Sequence, residues 1–207
     1  MNKTIEELIS KQGEPFLWCP GCGIGIVILN FLRAILKVKI DAEKLILFLG
    51  SGCLNKLANY VHCNVRQVND CSPVKYAAEF KIKNNEKKVV LFLNDADFIA
   101  YGLDDFLKLG KCGAGITVIY FNNFIHRFIK PAEKTIISGN EPTLKNYELL
   151  FNIPRLAQIS GARYIARWSA LNGRRFLFSL QRVLKYDAFS VIEVISPCLM
   201  YLQKYQH

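Results

Sequence analysis

Short apolar runs, each closed by glycine or small polar residues, are the dominant pattern along the chain. Leu45 to Leu49 is followed by Gly50-Ser51-Gly52, Val89 to Leu93 by Asn94-Asp95-Ala96-Asp97, and Ile116 to Phe121 by Asn122-Asn123. Runs with no polar break are those of strands buried on both faces, and the β-branched and aromatic content of the third favours strand over helix. Tyr164 to Ala166 and Ser190 to Val194 read as the last strands. Helical spacing predicts helices over roughly residues 24–36, 72–83, 98–109, 144–160 and 171–185, after a short polar helix at the N-terminus. Strands alternating with helices predict an α/β fold with one doubly wound, mostly parallel sheet covered on both faces. Ligands of such sheets sit at the carboxyl ends of the strands, so the polar residues closing each run become the candidate chemistry. The segment Phe124 to Asn146 lacks periodicity and reads as an irregular active-site loop. No internal repeat or low-complexity tract is visible.

With 207 residues, 51% hydrophobic and 21% charged, the composition suits a single domain over residues 1–207 with a sizeable core. Lys and Arg outnumber Asp and Glu by 27 to 17, which raises nucleic acid, acidic cofactors or an acidic electron acceptor as partners. The basic residues are scattered, however. Their densest run, Lys81, Lys83, Lys87 and Lys88, lies between two apolar segments and reads as a solvated turn, so no nucleic-acid partner is expected. The polar start, Met1 to Gln12, has no apolar core of a signal peptide and predicts a cytoplasmic protein. Ile24 to Leu36 is interrupted by Asn30 and Arg33 and is too short to span a bilayer, so a buried amphipathic helix is expected there and no membrane association.

Seven cysteines in a chain without an export signal argue for metal or redox chemistry over a disulfide framework. Cys19 and Cys22 stand in Trp18-Cys19-Pro20-Gly21-Cys22-Gly23, an irregular loop that can wrap a zinc ion, a redox dithiol or an iron-sulfur cluster. The loop precedes the first strand, unlike a thioredoxin-type dithiol, which favours metal. Cys53 and Cys198 stand at strand ends and are candidates to complete a four-thiolate set, although each taken alone reads more readily as a buried core cysteine, whereas Cys63, Cys71 and Cys112 lack such framing and read as structural. Asp95 and Asn123 follow strands one strand-helix-strand unit apart, so neighbouring strands would aim both oxygens at one hard cation such as magnesium. The plainer reading makes Asp95 an N-cap and Asn123 a turn residue.

Cys-Pro-Gly-Cys-Gly near the start, Gly-x-Gly-Cys after the first strand, and Ser196-Pro197-Cys198 after a Val-Ile-Glu-Val-Ile strand resemble the beta subunits of 2-oxoacid:ferredoxin oxidoreductases over nearly the whole chain. The resemblance implies a thiamine-diphosphate-binding domain and Cys19, Cys22, Cys53 and Cys198 as ligands of a 4Fe-4S cluster. Asn94-Asp95-Ala96-Asp97 followed by Asn122-Asn123 is similar to the family's thiamine-diphosphate motif. By that likeness Asp95, Asn123 and the Ile125 carbonyl would bind Mg2+, Asp97 and Gly52 would lie beside the diphosphate, and Lys56 would pair with the substrate carboxylate. The implied activity is oxidative decarboxylation of a 2-oxoacid to an acyl-CoA, with ferredoxin and coenzyme A as reactants and a separate alpha-type subunit binding the pyrimidine end of the cofactor. The isolated chain would then be inactive.

Several positions depart from the family pattern. Asn94 and Ala96 replace motif glycines, Asp70-Cys71-Ser72 stands where the family has His-Gly-Arg, and Phe124-Ile125-His126-Arg127 replaces the usual Asn-Ile-Tyr-Gly. His126 and Arg127 would restore a cation or a proton-transferring group. Gly139 to Pro142 and Gly161 to Arg167 resemble the family's second half, while the chain runs only a little past Cys198. The competing readings are a degenerate paralogue that keeps the cluster but not thiamine-diphosphate catalysis, acting in electron transfer or assembly, and a zinc-binding nucleic-acid protein.

Overall fold

A computed structural model describes residues 8–9, 18–69, 71–125 and 151–204. Six strands form one all-parallel sheet: β1 (Leu45–Leu49), β2 (Asn64–Gln67), β3 (Lys88–Asn94), β4 (Ile116–Asn122), β5 (Tyr164–Ser169) and β6 (Ser190–Ile195), in the order β2-β1-β3-β4-β6-β5. The expected doubly wound α/β architecture is therefore present. After β2 the chain crosses over β1 to place β3 on its other side, which opens a crevice at the carboxyl ends of β1 and β3.

Alternate residues of each strand feed two cores, one on either face. Leu45, Leu47 and Leu49 join Phe92, Phe121 and Val194 in one, against helices α1 (Gly23–Val38) and α5 (Gly173–Lys185); Ile46, Phe48, Leu91 and Val118 join the other, against α2 (Pro73–Lys83), α3 (Leu103–Lys108) and α4 (Ile153–Ile159). This double burial is why the strands read as unbroken apolar runs. Local signals set the helix starts. The Ser72 side chain accepts the Lys75 N–H at 3.2 Å with Pro73 behind it, and Asn152 accepts the Arg155 N–H at 3.2 Å ahead of Pro154. Asn30, set in the apolar face of α1, is buried and satisfied locally, its amide donating to the Ile26 carbonyl at 2.9 Å. No helix among the described residues is long and apolar enough to cross a membrane.

The helix expected over 98–109 is present but opens with a π-helical turn, Phe98–Gly102, running into α3, with Phe98 buried against Phe106 and Tyr120. Two expectations need correction. The helix expected over 144–160 begins, among the described residues, only at Ile153. The basic run is not a uniformly solvated turn: Lys81 is 2% exposed and donates to the carbonyls of Asn85 and Lys87 and to Asp187 at 2.9 Å, while Lys88 donates to the carbonyls of Val183 and Tyr186. These amines bind the amino end of the sheet to the end of α5. The opening polar helix (but for Leu8 and Ile9), the bulk of the irregular loop with His126 and Arg127, Gly139 to Pro142, and Asp70 lie outside the described residues.

Candidate cofactor and metal site

Every described candidate residue lies at the carboxyl edge of the sheet or on the loop that faces it. The Cys19–Cys22 turn, closed by the Cys22 N–H donating to the Cys19 carbonyl at 2.9 Å, leads directly into α1. It is docked onto the segment after β6. A side chain at Gly23 would run into Ser196 and would come within 2.5 Å of the Ala170 Cβ, and one at Gly21 within 2.8 Å of Leu199. On the other side, the Trp18 indole N–H donates to the Cys53 carbonyl at 3.0 Å. The Cys198 N–H donates to the Asn123 carbonyl at 3.0 Å, which ties the fourth cysteine to the end of β4.

The thiols sense one another. Burial pushes the Cys22 thiol above the ordinary range, opposed by the Ile24 backbone N–H and reinforced by Cys53, Cys19 and Cys198. The Cys53 thiol is likewise raised, first by burial on its protein side and then by Cys198 and Cys19, while the Lys56 ammonium pulls it down. Four thiols drawn from three parts of the sequence therefore share one electrostatic neighbourhood. Among the described residues, no three His, Cys, Asp or Glu side chains are gathered tightly enough to hold a single ion as they stand. A tetrahedral zinc draws its sulfurs to within about 4 Å of each other, whereas a cluster takes one sulfur per iron and spreads them more widely. Of the other cysteines, Cys63 and Cys71 are half-buried against the two cores, and Cys112 is exposed rather than packed.

Asp95 and Asn123 leave neighbouring strand ends, since Asn94 stands opposite Phe121 in the β3–β4 register. Asp95 is fully buried, and the Asn123 Oδ1 is a buried oxygen that no donor among the described residues reaches. An orphaned carbonyl oxygen beside a buried carboxylate is what a hard cation would satisfy. Ile125 is half-buried just beyond. Gly52 has φ +68° and open space on its side-chain side, leaving room beside the β1 turn. Lys56 is exposed on the 3-10 helix Gly52–Asn59, three residues from Cys53.

Asp97, expected beside a diphosphate, has protein partners of its own. Its carboxylate accepts the Ser51 N–H at 2.6 Å, the Ser51 hydroxyl at 2.5 Å and the Asn94 amide at 2.8 Å, so it braces the β1 turn. Nor does Asn94 need a glycine's backbone: its φ is −95°, and it, rather than Asp95, is the helix N-cap, its Oδ1 accepting the Asp97 N–H at 2.8 Å. The motif change at 94 is thus accommodated without blocking the space at Gly52.

One buried carboxylate escaped the sequence reading. Glu193 in β6 is fully buried and accepts from Asn122 Nδ2 at 2.8 Å and from Arg167 Nε at 2.5 Å. Burial, then the charges of Asp95 and Glu193, push the nearby Tyr120 phenol far up, so it remains a neutral hydroxyl. A glutamate within an apolar β-branched run was the available signal for Glu193.

Residues 72–194 match the family model described as thiamine pyrophosphate enzyme, C-terminal TPP binding domain. The chain is 30% identical over 195 residues to the 2-oxoglutarate synthase subunit KorB of Methanocaldococcus jannaschii, covering 92% of this chain and 72% of that protein. It is 26% identical over 188 residues to a 2-oxoacid:ferredoxin oxidoreductase beta subunit of Aeropyrum pernix, covering 89% of this chain and 59% of that protein. A solved structure of 2-oxoglutarate:ferredoxin oxidoreductase from Magnetococcus marinus, with 2-oxoglutarate, coenzyme A and succinyl-CoA bound, has the same fold, with a TM-score of 0.77 over 95% of this chain and 68% of that one at 19% identity.

Proposed function

The chain belongs to the beta subunits of the 2-oxoacid:ferredoxin oxidoreductases, built on a thiamine-pyrophosphate-binding domain, and on that footing we propose that it carries out oxidative decarboxylation of a 2-oxoacid with an alpha-type partner subunit. The observation that carries this reading is the meeting of Cys19, Cys22, Cys53 and Cys198 at the same sheet edge as Asp95 and Asn123. The names of the relatives that match at 30% identity support 2-oxoglutarate as the first substrate to test.

In this reading thiamine diphosphate supplies the electron sink for decarboxylation, and a 4Fe-4S cluster supplies the one-electron acceptor that leads to ferredoxin. Asp95, the orphaned Asn123 Oδ1 and the Ile125 carbonyl would hold the Mg2+ of the diphosphate. The four cysteines would hold the cluster. Trp18 fixes the Cys53 turn through its carbonyl, so the exposed Cys53 thiol is held by backbone and not by chance. Lys56 presents its ammonium beside that turn and would pair with the substrate carboxylate. Asp97 and Asn94 hold the turns in place, and Asp97 would lie beside the diphosphate. Coenzyme A would accept the acyl group in the assembled complex.

Anaerobic co-purification of the chain with its partner subunit tests the proposal, with iron, sulfide, magnesium and thiamine analysis. It should be followed by assay of coenzyme-A-dependent ferredoxin reduction with 2-oxoglutarate, pyruvate and branched 2-oxoacids. The expected result is a brown complex with bound thiamine diphosphate and turnover on at least one 2-oxoacid. A brown complex that never binds thiamine diphosphate would replace this reading with that of a paralogue restricted to electron transfer or assembly.

A further inference from the structure

Asn94 occupies a position where the resembled motif carries glycine, and we infer that its side chain, with Asp97 and Ser51, forms a latch that holds the β3 turn bearing Asp95 and the β1 turn bearing Cys53 as one unit. Asn94 is thereby a positioning residue for the diphosphate site, an inference that rests on the function proposed above.

The latch is built from three side chains and two turns. Asn94 is 8% and Asp97 6% exposed, so their hydrogen bonds are shielded from water. The Asn94 amide nitrogen donates to the Ser51 carbonyl at 3.1 Å and to Asp97 Oδ2 at 2.8 Å, while its oxygen caps the Asp97 N–H. Asp97 in turn holds Ser51 through both backbone N–H and hydroxyl. Gly50 makes room for this: a side chain there would collide with the Asp97 carboxylate, and the Gly50 N–H is already pinned to the Phe92 carbonyl of β3 at 2.9 Å. The Asn94 side chain contacts both turns with donors and an acceptor, so it closes the ring that Ser51 and Asp97 leave open. Asp95 directly follows Asn94 and lies with Ala96 between the two ring members after β3, and two residues after Ser51 comes Cys53. A glycine at 94 would keep the extended backbone but leave the Ser51 carbonyl and the Asp97 N–H without these partners.

The test uses the chain co-purified with its alpha-type partner, as wild type, Asn94→Gly, Asn94→Ser, Ser51→Ala and the double variant Asn94→Gly with Ser51→Ala. Hydrogen exchange over residues 50–53, measured without cofactor, reads the latch directly. Titration with thiamine diphosphate and Mg2+, followed by fluorescence quenching, reads its effect on the site. Asn94→Gly is expected to accelerate exchange and to weaken thiamine diphosphate binding, each by about tenfold or more, because it removes all three hydrogen bonds of the Asn94 side chain. Asn94→Ser retains a capping oxygen but no amide donor and should fall with Asn94→Gly. The double variant should be little weaker than Asn94→Gly, because both substitutions open the same ring. Wild-type exchange and affinity in Asn94→Ser would reduce Asn94 to a helix cap and overturn the latch, as would strictly additive losses in the double variant. Wild-type protein that binds no thiamine diphosphate overturns the proposed function instead, a failure the cofactor-free exchange measurement separates from failure of the latch.

Discussion

Replacing Gly23 with alanine is the sharpest probe of how the cysteine loop is seated. The added Cβ would lie 2.5 Å from the Ala170 Cβ, while ordinary contact begins at 3.4 Å, so the start of α1 would have to retreat by about 0.9 Å. Ser196, the other neighbour, can turn its hydroxyl aside. Ala170 cannot, because its Cβ has no rotamer and its backbone N–H is held by the Ile195 carbonyl at 3.1 Å. The strain therefore falls on α1 and on Cys22, the residue immediately before it. Overpacking of this kind costs about 2 kcal/mol, or roughly 4 to 8 °C in Tm for a domain of this size. The same retreat draws Cys19 and Cys22 away from Cys198, so iron content and absorbance at about 400 nm in the anaerobic complex should fall. Gly25→Ala is the control: its Cβ would meet the Trp18 ring at an ordinary 3.6 Å, and stability should hold or rise. A Gly23→Ala protein with wild-type Tm and full iron would refute the close docking of this loop on the β6 end.

Other substitutions separate the remaining roles. Asp95→Asn should weaken Mg2+-dependent thiamine diphosphate binding by at least about tenfold while leaving iron content unchanged, measured by cofactor titration and metal analysis. Lys56→Ala should raise KM for the 2-oxoacid by about tenfold with a smaller change in kcat, the signature of a lost carboxylate contact in steady-state assays. Lys88 provides a pH test. Burial lowers its amine from 10.5 to about 8, partly offset by Asp187, while the unfolded chain keeps the ordinary value. Above pH 8 the unfolded state therefore binds the extra proton, and Lys88 favours folding progressively from pH 8 to 10.5, by up to about 3 kcal/mol. Denaturant unfolding of wild type and Lys88→Met across that window should differ in slope, and equal slopes would remove the buried-amine account.

The central strands were legible because burial on both faces leaves no polar interruption, as in Leu45–Leu49 and Ile116–Asn122. β2 was not legible. It is the polar edge strand Asn-Val-Arg-Gln, mostly exposed, and it is held by backbone pairing to β1, which leaves no hydrophobic signature. Lys81 misled for the opposite reason: charge in a lysine-rich run predicts solvent, yet its amine finds two carbonyls and a carboxylate contributed from the far end of the sequence. The site residues were recognisable as strand-end residues, whereas their division of labour was not. Whether Asp97 faces a ligand or a neighbouring turn depends on Ser51, a residue of another strand's turn, and no local pattern encodes that pairing.

The sheet order also imposes a timetable on synthesis. Among the described residues β6 is the last strand made, yet it lies between β4 and β5, and β5 pairs with no other strand. Until β6 arrives, β5 has no partner, the edge of β4 stays open, and the thiol of Cys198 is missing from the gathering at the sheet's rim. In the function proposed above, a cluster captured earlier would be held by an incomplete set of thiolates and easily lost, so loading would have to follow the synthesis of Cys198.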